Sequence, residues 1–228
     1  MAKPSPQVLT GQVTTHLVRH NAWHWGQADM LVAFKQMQQA ARKEGLNLTI
    51  CSSFRSFERQ QQIWNNKCSG STPVLNDANR ALDTSALTPR QLTAAILRWS
   101  ALPGASRHHW GTDIDVYDPQ LLTPGYRLQL VPAEYQTGGP LYPLACWLNQ
   151  HMAKFGFYRP YDQYRGGVAQ EPWHLSYLPL AGKYQQAFNI DVLDQCLNKS
   201  KIAHKAFIRH ALPNLWQQYI SNIAPLPR

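Results

Sequence analysis

The sequence predicts an α+β fold, in which a small antiparallel sheet is flanked by helices and followed by a C-terminal helical extension. Three observations predict it. Apolar residues recur with the 3.6-residue helical period in several long stretches, short β-rich runs lie between them, and residues 184–228 carry helical patterns without a strand signal. With 228 residues, of which 44% are hydrophobic and 15% charged, the chain is long enough to bury a core and is too apolar to be disordered throughout.

Taken in order, residues 1–10 show no periodicity and are read as a loose tail, within a lead-in that reaches residue 27. From Ala28 to Lys43 the positions Met30, Leu31, Phe34, Met37 and Ala41 follow helical spacing, and Gly45 supplies the stop. Leu46–Ser52 is short and β-rich, so it reads as a strand running into a loop that carries Arg55. Phe57–Asn66 then looks helical, and residues 69–87 form a polar loop. Thr88 with Pro89 at the first helical position opens a helix to about Ser100, closed by Leu102-Pro103-Gly104. Thr112–Tyr117 sets Asp113 and Asp115 against Ile114 and Val116, the period-2 pattern of a strand with one polar and one buried face. A short strand is expected at Tyr126–Val131. Pro143–Phe155 is a helix with Leu144, Trp147, Leu148 and Met152 inward, ended by Gly156, and His174–Leu178 is a strand. Past about Lys183, helical patterns return at Val192–Leu197, Lys201–Ala211 and Leu215–Ile223. The expected organisation is therefore a lead-in at 1–27, a main domain at 28–183 and a helical extension at 184–228, the last serving packing or dimerisation.

The charge balance, 22 Lys and Arg against 13 Asp and Glu, gives +9 and favours anionic partners. Lys201, Lys205 and Arg209 make a basic stripe beside His204 and His210. With no Gly-rich or aromatic nucleic-acid motif next to it, the stripe reads as a solvated helix face, and no nucleic-acid partner is expected. Cys51, Cys68, Cys146 and Cys196 lie far apart without a CxxC pair and read as reduced thiols, Cys51 and Cys146 in the core. No stretch approaches the ~18 apolar residues of a membrane span. The opening MAKPSPQVLTGQVTTH lacks the apolar run of a secretory leader, so a cytoplasmic location is expected, or a periplasmic one where a leader has been removed. His16, His20 and His24 recur every four residues in a segment not read as helical and are taken as surface or packing residues.

Two segments carry chemistry, SRHHWGTDID at 106–115 and EPWH at 171–174. Two imidazoles and a carboxylate drawn from them can hold zinc with a fourth position left for water, and Glu171 is placed to take that water's proton. A strand at 112–117 directs Asp113 and Asp115 to the same face, and His109 adjoins His108, so spacing leaves the choice within each pair open. Glu171 and His174, three apart, would face opposite ways on a regular strand. Pro172 excludes ordinary ladder pairing there, and a bend at it could aim both inward. Trp173 is either a pocket wall or core.

The pattern S-x-H-x-x-G-x-x-x-D, present as Ser106, His108, Gly111 and Asp115, followed by Glu171, Trp173 and His174 as E-x-W-H, resembles the VanY-like D-alanyl-D-alanine carboxypeptidases. These belong to a superfamily of zinc peptidases that includes lysostaphin-type enzymes and the hedgehog signalling domain. The segment SSFRSFERQ, with Arg55, Ser56 and Gln60, is similar to that family's SGYRSxxxQ, so the resemblance spans about residues 28–180. It implies one zinc per chain on His108, Asp115 and His174, with Glu171 as catalytic base. It also implies Arg55 as the cation that binds substrate or stabilises the oxyanion, Gln60 and Ser106 as polar contacts in the pocket, and Trp173 at its wall. Ser53 and Phe54 stand where the family has Gly and Tyr, and the two-histidine HHWG at 108–111 is a less common form. The activity implied is that of a hydrolase of peptidoglycan-derived peptides, a D,D- or L,D-carboxypeptidase removing a C-terminal D-alanine, the latter suited to cell-wall recycling. The alternatives are an endolysin-type L-Ala–D-Glu endopeptidase, for which no wall-binding module is evident, and a non-catalytic zinc-containing binding domain, against which Glu171 speaks.

Overall fold

The computed structural model describes residues 3–227. A short helix α1 (Pro6–Leu9) comes first, followed by a hairpin of two-residue strands, β1 (Val18–Arg19) and β2 (Trp25–Gly26). Helix α2 (Ala28–Lys43) buries Met30, Phe34, Met37 and Ala41 on one stripe and ends before Gly45, whose φ of +81° suits glycine. Strand β3 (Thr49–Ser52) leads to α3 (Phe57–Cys68), where the Ser56 side chain caps the Arg59 N–H. Helix α4 (Pro89–Leu97) opens on a reciprocal Thr88–Gln91 capping box, which fixes its start. Strand β4 (Asp113–Tyr117), α5 (Pro132–Tyr135), α6 (Tyr142–His151), β5 (Phe157–Tyr158) and β6 (His174–Tyr177) follow. The chain then continues through α7 (Leu178–Ala187), α8 (Ile190–Lys199) and α9 (Lys205–Leu215).

The sheet runs in the order β3-β4-β6-β5 with every neighbouring pair antiparallel. Strand β4 is therefore central. Ile114 and Val116 on one of its faces are fully buried in a core cluster with Met30, Phe34, Met37, Leu144, Leu148 and Leu175. Alternation sends Asp113 and Asp115 to the other face, and that face is covered too, since both carboxylates are at most 4% exposed. A second cluster joins Val8, Leu9, Trp64, Leu92, Ile96 and Trp110 to Leu193, Leu197, Ile208 and Leu212 of α8 and α9.

Three expectations need correction. The segment read as a loose tail contains α1: the Ser5 side chain accepts from the Val8 N–H, Pro6 opens the helix, and the Leu9 carbonyl accepts from Trp110 Nε1 at 3.0 Å. No strand forms at 126–131. The Glu134 carboxylate takes the N–H groups of Gln129 (2.9 Å) and Val131 (3.2 Å) that a strand would give to a neighbour, and Leu130 has φ of +54°. Cys51 and Cys146, expected in the core, are half-buried, whereas Cys196 is buried; all four are free thiols.

Lys183, at the expected domain boundary, lies inside α7, which begins directly after β6. The helices beyond it share their apolar cluster with α1, α3 and α4, and Trp64 Nε1 donates to the Ala203 carbonyl at 3.2 Å. On the basic stripe Arg209 pairs with Asp194 at 2.7 and 2.8 Å, and Lys205 Nζ donates to the Ser200 carbonyl. Helix α9 contains Pro213 and runs into a π-helical turn, Trp216–Ile220. Among the described residues, no helix is long and apolar enough to cross a membrane.

Because Leu193 is fully buried in the cluster shared with α3 and α4, Leu193→Ala should lower the unfolding free energy by about 2–5 kcal/mol. Urea unfolding followed by tryptophan fluorescence should show one cooperative transition shifted as a whole. Two separated transitions with the first alone displaced would refute a shared core.

Candidate active site

The register of the sheet builds half of the site. Asp115 on β4 stands directly opposite His174 on β6 and, on its other side, opposite Ser52 on β3, so three polar residues form a row across one face. Glu171 joins them through a turn in which the His174 N–H donates to the Glu171 carbonyl at 3.1 Å, with Pro172 inside it. The bend places Glu171 Oε2 3.5 Å from His174 Nδ1. His108 comes from a 3-10 turn, Arg107–Trp110, that ends at Gly111 with φ of +65°. A Cβ at Gly111 would first meet the movable tip of Leu17, 2.3 Å from Cδ2, so it is the positive φ that favours glycine there.

His108 Nε2 lies 3.2 Å from Asp115 Oδ2, and His174 Nδ1 lies 3.1 Å from Asp115 Oδ1. One donor atom from each of His108, Asp115 and His174 lies within 4.8 Å of the others, the one such grouping among the described residues. This donor set suits a divalent metal, zinc in particular. Buried Asp115 Oδ1 has no hydrogen bond of acceptable geometry in the protein, which leaves it free for such a ligand.

The doubled motifs divide their labour. Asp113 does not enter the trio; its Oδ1 lies 3.0 Å from His174 Nε2 and 2.8 Å from Arg107 Nε, and its Oδ2 accepts from Thr112 Oγ1. A carboxylate at Nε2 requires the proton there and leaves the Nδ1 lone pair facing Asp115, so Asp113 fixes the tautomer of His174. Arg107 is itself held by Ser176 Oγ at 2.7 Å and the Tyr158 hydroxyl at 3.1 Å, over the Trp110 ring. His109 turns away: its Nδ1 lies 2.6 Å from the Arg55 carbonyl oxygen, and its Nε2 accepts from the Gly104 N–H. Burial pushes His109 down to about 3, so it is neutral and its Nδ1–H donates to Arg55.

Arg55 donates from Nη1 to Gln60 Oε1 at 2.9 Å and from Nη2 to Ser52 Oγ at 3.2 Å, while its N–H bonds the His108 carbonyl. Gln60, expected as a pocket contact, is fully buried behind Arg55 with its amide committed to Arg55 and to the Ala101 carbonyl. Ser106 is buried and borders the cavity. Trp173 also borders it while packing in the core, its ring centroid 5.6 Å from that of Tyr135. The cavity has a volume of about 500 Å³ and takes in Arg55, His108, Asp115, Glu171 and His174. His16, His20 and His24 do not gather around one point: His16 packs against Phe54 and Tyr184, and His24 bonds Asn21.

Burial and neighbouring charges compete across the site. Burial lifts the Glu171 carboxyl to about 7, with Asp115 adding to the shift and His174 and Arg55 opposing it. For Asp115 burial opposes the charge, but His108 and His174 outweigh it and hold the carboxyl well below the usual range. The same contest at Asp113 is won by Arg107 and His174. Burial lowers His108, whereas for His174 the two aspartates overcome burial and raise it.

Residues 23–180 match the family model of VanY, D-alanyl-D-alanine carboxypeptidase. An uncharacterized protein of Haemophilus influenzae is 38% identical over 121 residues, which cover 52% of this chain and 92% of that protein. Among solved structures, VanYB in complex with D-alanine-D-alanine superposes with a TM-score of 0.54 at 23% identity, over 83% of this chain and 92% of that one. A VanY D,D-pentapeptidase mutant in complex with Zn(II) gives 0.51 at 23% identity, over 79% and 92% of the two chains. At these identities the two solved structures bear on the fold alone.

Two outcomes follow from the geometry. Asp113→Asn should weaken zinc binding about 10- to 100-fold in a chelator competition, because the amide no longer dictates the His174 tautomer; unchanged affinity would remove Asp113 from that role. Glu171 has its folded pKa raised above the usual 4.5, so its contribution to stability is highest at low pH and is lost as pH rises towards 7. Metal-stripped Glu171→Gln should therefore be more stable than the parent at pH 8 by about 1–3 kcal/mol and equal to it at pH 4. Urea titrations at the two pH values decide it, and a destabilised variant at pH 8 would contradict the buried-carboxyl account.

Proposed function

Because the chain belongs to the VanY family of D-alanyl-D-alanine carboxypeptidases, to which residues 23–180 match, we propose that it is a zinc-dependent carboxypeptidase removing a C-terminal D-alanine from peptidoglycan stem peptides. The observation that carries this reading is the convergence of His108, Asp115 and His174 to within 4.8 Å beside the buried carboxyl of Glu171. Proteins of this fold are known in complex with Zn(II) and with D-alanine-D-alanine, the metal and the substrate class proposed for this chain.

His108, Asp115 and His174 would hold one zinc ion per chain, which would supply Lewis-acid activation of water and of the scissile carbonyl. Glu171 does the proton work. Its carboxylate, 3.5 Å from His174, accepts a proton from the attacking water and returns it to the leaving amine nitrogen. Arg55 is pinned by Gln60 and Ser52 and presents a cationic fork to the free carboxylate at the substrate's end, which distinguishes a chain end from its middle. His109 and the His108 carbonyl hold the Arg55 backbone, so cation and metal ligands keep a fixed spacing.

Mass spectrometry of tripeptide, tetrapeptide and pentapeptide stems incubated with the zinc-loaded protein should show loss of one alanine. Loss from the pentapeptide marks a D,D cut, loss from the tetrapeptide an L,D cut, and products split between L-Ala and D-Glu would replace this reading with the endopeptidase one. Glu171→Gln should keep its zinc yet lose about 10²–10⁴ in kcat, whereas His108→Ala should lose the metal itself. Near-normal turnover in Glu171→Gln would assign the proton transfer to another group.

A further inference from the structure

The bend that aims Glu171 and His174 turns on Pro172, which has no N–H and can be anchored through its main chain only at its carbonyl. On either side the chain is held by backbone bonds. The Glu171 N–H donates to the Tyr161 carbonyl at 3.0 Å, and the Trp173 carbonyl accepts from the Val116 N–H of β4 at 3.0 Å. The carbonyl of buried Pro172 is held by a side chain instead, accepting from Arg159 Nε at 2.7 Å. Arg159 follows directly on β5, and its Nη1 donates to Asn149 Oδ1 on α6, so one guanidinium ties the bend to a strand end and to a helix.

No carboxylate accounts for the place of this arginine. Burial pushes its guanidinium down to about 10, opposed by Tyr135, and buried Nη2 has no hydrogen-bond partner in the protein. A cation held in this way lowers stability. What it provides is a planar fork whose two donors reach two different elements. Arg159 stands outside the main cavity, in a separate hollow shared with Asn149 and Pro172, so it reaches the site through the backbone alone.

The Glu171 carboxylate depends on that backbone more than its neighbour does. His174 is fixed by pairing with Asp115 across the ladder and by Asp113 at Nε2. Glu171 has only a long contact, 3.5 Å, with His174 Nδ1, and among the described residues nothing donates a hydrogen bond to its carboxylate. The loop that leads into it is braced elsewhere. Gln218 Nε2 donates to the Gly166 carbonyl at 2.8 Å, Asn222 Nδ2 to the Arg165 carbonyl at 2.6 Å, and the Ala224 N–H to the Pro160 carbonyl at 2.8 Å. The same C-terminal segment gives Trp216, Tyr219 and Ile220 of the π-helical turn to the cavity lining. None of these bonds reaches Pro172.

We propose that Arg159 is a positioning residue for proton transfer: its Nε–H, through the Pro172 carbonyl, sets the main chain from which the Glu171 carboxylate is aimed. The part in proton transfer rests on the carboxypeptidase reading, whereas the hold on the bend does not.

The test compares two side chains of similar size. Glutamine places an N–H donor where arginine has Nε, and methionine places a methyl there. On the stem peptide that the zinc-loaded wild-type protein cleaves, Arg159→Met should lower kcat about 10- to 100-fold with KM and zinc affinity unchanged. Arg159→Gln should keep most of the activity although the charge is gone. In a Glu171→Gln background Arg159→Met should cost no further turnover, because the group it aims is no longer a base. Amide hydrogen exchange reads the bend without catalysis: the Glu171 and His174 N–H groups should exchange about tenfold faster in Arg159→Met, while Arg159→Gln matches the parent and Val116 is unmoved in both. Normal kcat in Arg159→Met, equal losses in the two variants, a further loss in the Glu171→Gln background, or unchanged exchange at Glu171 and His174 would each overturn the proposal. Should Arg159→Met not fold, Asn149→Leu frees the outer end of the guanidinium and should lower kcat at unchanged zinc affinity; an unchanged kcat there overturns it equally. Absence of D-alanine release by the wild-type protein strikes the carboxypeptidase reading instead, and the exchange rates still judge Arg159.

Discussion

The buried pair of Arg107 and Asp113 is the interaction on which the site depends. A sheet face that is closed to solvent cannot ordinarily carry two aspartates, since each isolated charge would cost several kcal/mol. Arg107 sits 2.8 Å from Asp113, gives its Nη2 donors to Ser176 and Tyr158 and directs Nη1 at Gln185, so the charge at Asp113 is balanced and hydrogen-bonded. Asp113 then has an oxygen to give to His174, which turns a generic buried ion pair into an orienting device. Asp115 has no such arginine. Its compensation is two imidazoles and, in the functional reading, a metal, so the two aspartates of one strand face stay charged by different means.

The same logic couples the two halves of the motif pair at 106–115. One histidine of the dipeptide enters the metal site while the next reaches back to the Arg55 carbonyl. The 3-10 turn makes this possible, because adjacent side chains there diverge by roughly a third of a turn. The spacing between Arg55 and the trio of His108, Asp115 and His174 is thus set by a four-residue turn between Ser106 and Gly111.

Much of this was legible in the sequence. The helix at 28–43 and the strand at 113–117 follow from local rules of periodicity and capping, and the bend at Pro172 from proline geometry, whereas the choice of His108 and Asp115 over their neighbours, and the parts given to His174, Glu171 and Arg55, came from the family resemblance. What was not legible depends on distant partners. Asp113 shares parity with Asp115, but its role becomes visible only once Arg107, Tyr158 and Ser176 meet it. Gln60 reads as a polar pocket residue until the Ala101 carbonyl claims its other end. The strand expected at 126–131 fails because Glu134, a few residues on, satisfies the same N–H groups more cheaply. The helices after residue 184 read as an appendage because nothing local announces that Leu193 and Ile208 will pack with Trp64 and Ile96.

The docking of Trp216–Ala224 against the loop at 160–170 bears on how the protein is made. A ribosome delivers residues in order, and domains consolidate as their sequence emerges. The metal ligands are complete by residue 174, yet the wall that narrows the cleft and braces the approach to Glu171 is synthesised some forty residues later. A nascent chain therefore carries His108, Asp115 and His174 before its cavity has a far side. Translation that stops short of the π-helical turn leaves the cavity without Trp216, Tyr219 and Ile220 along one side.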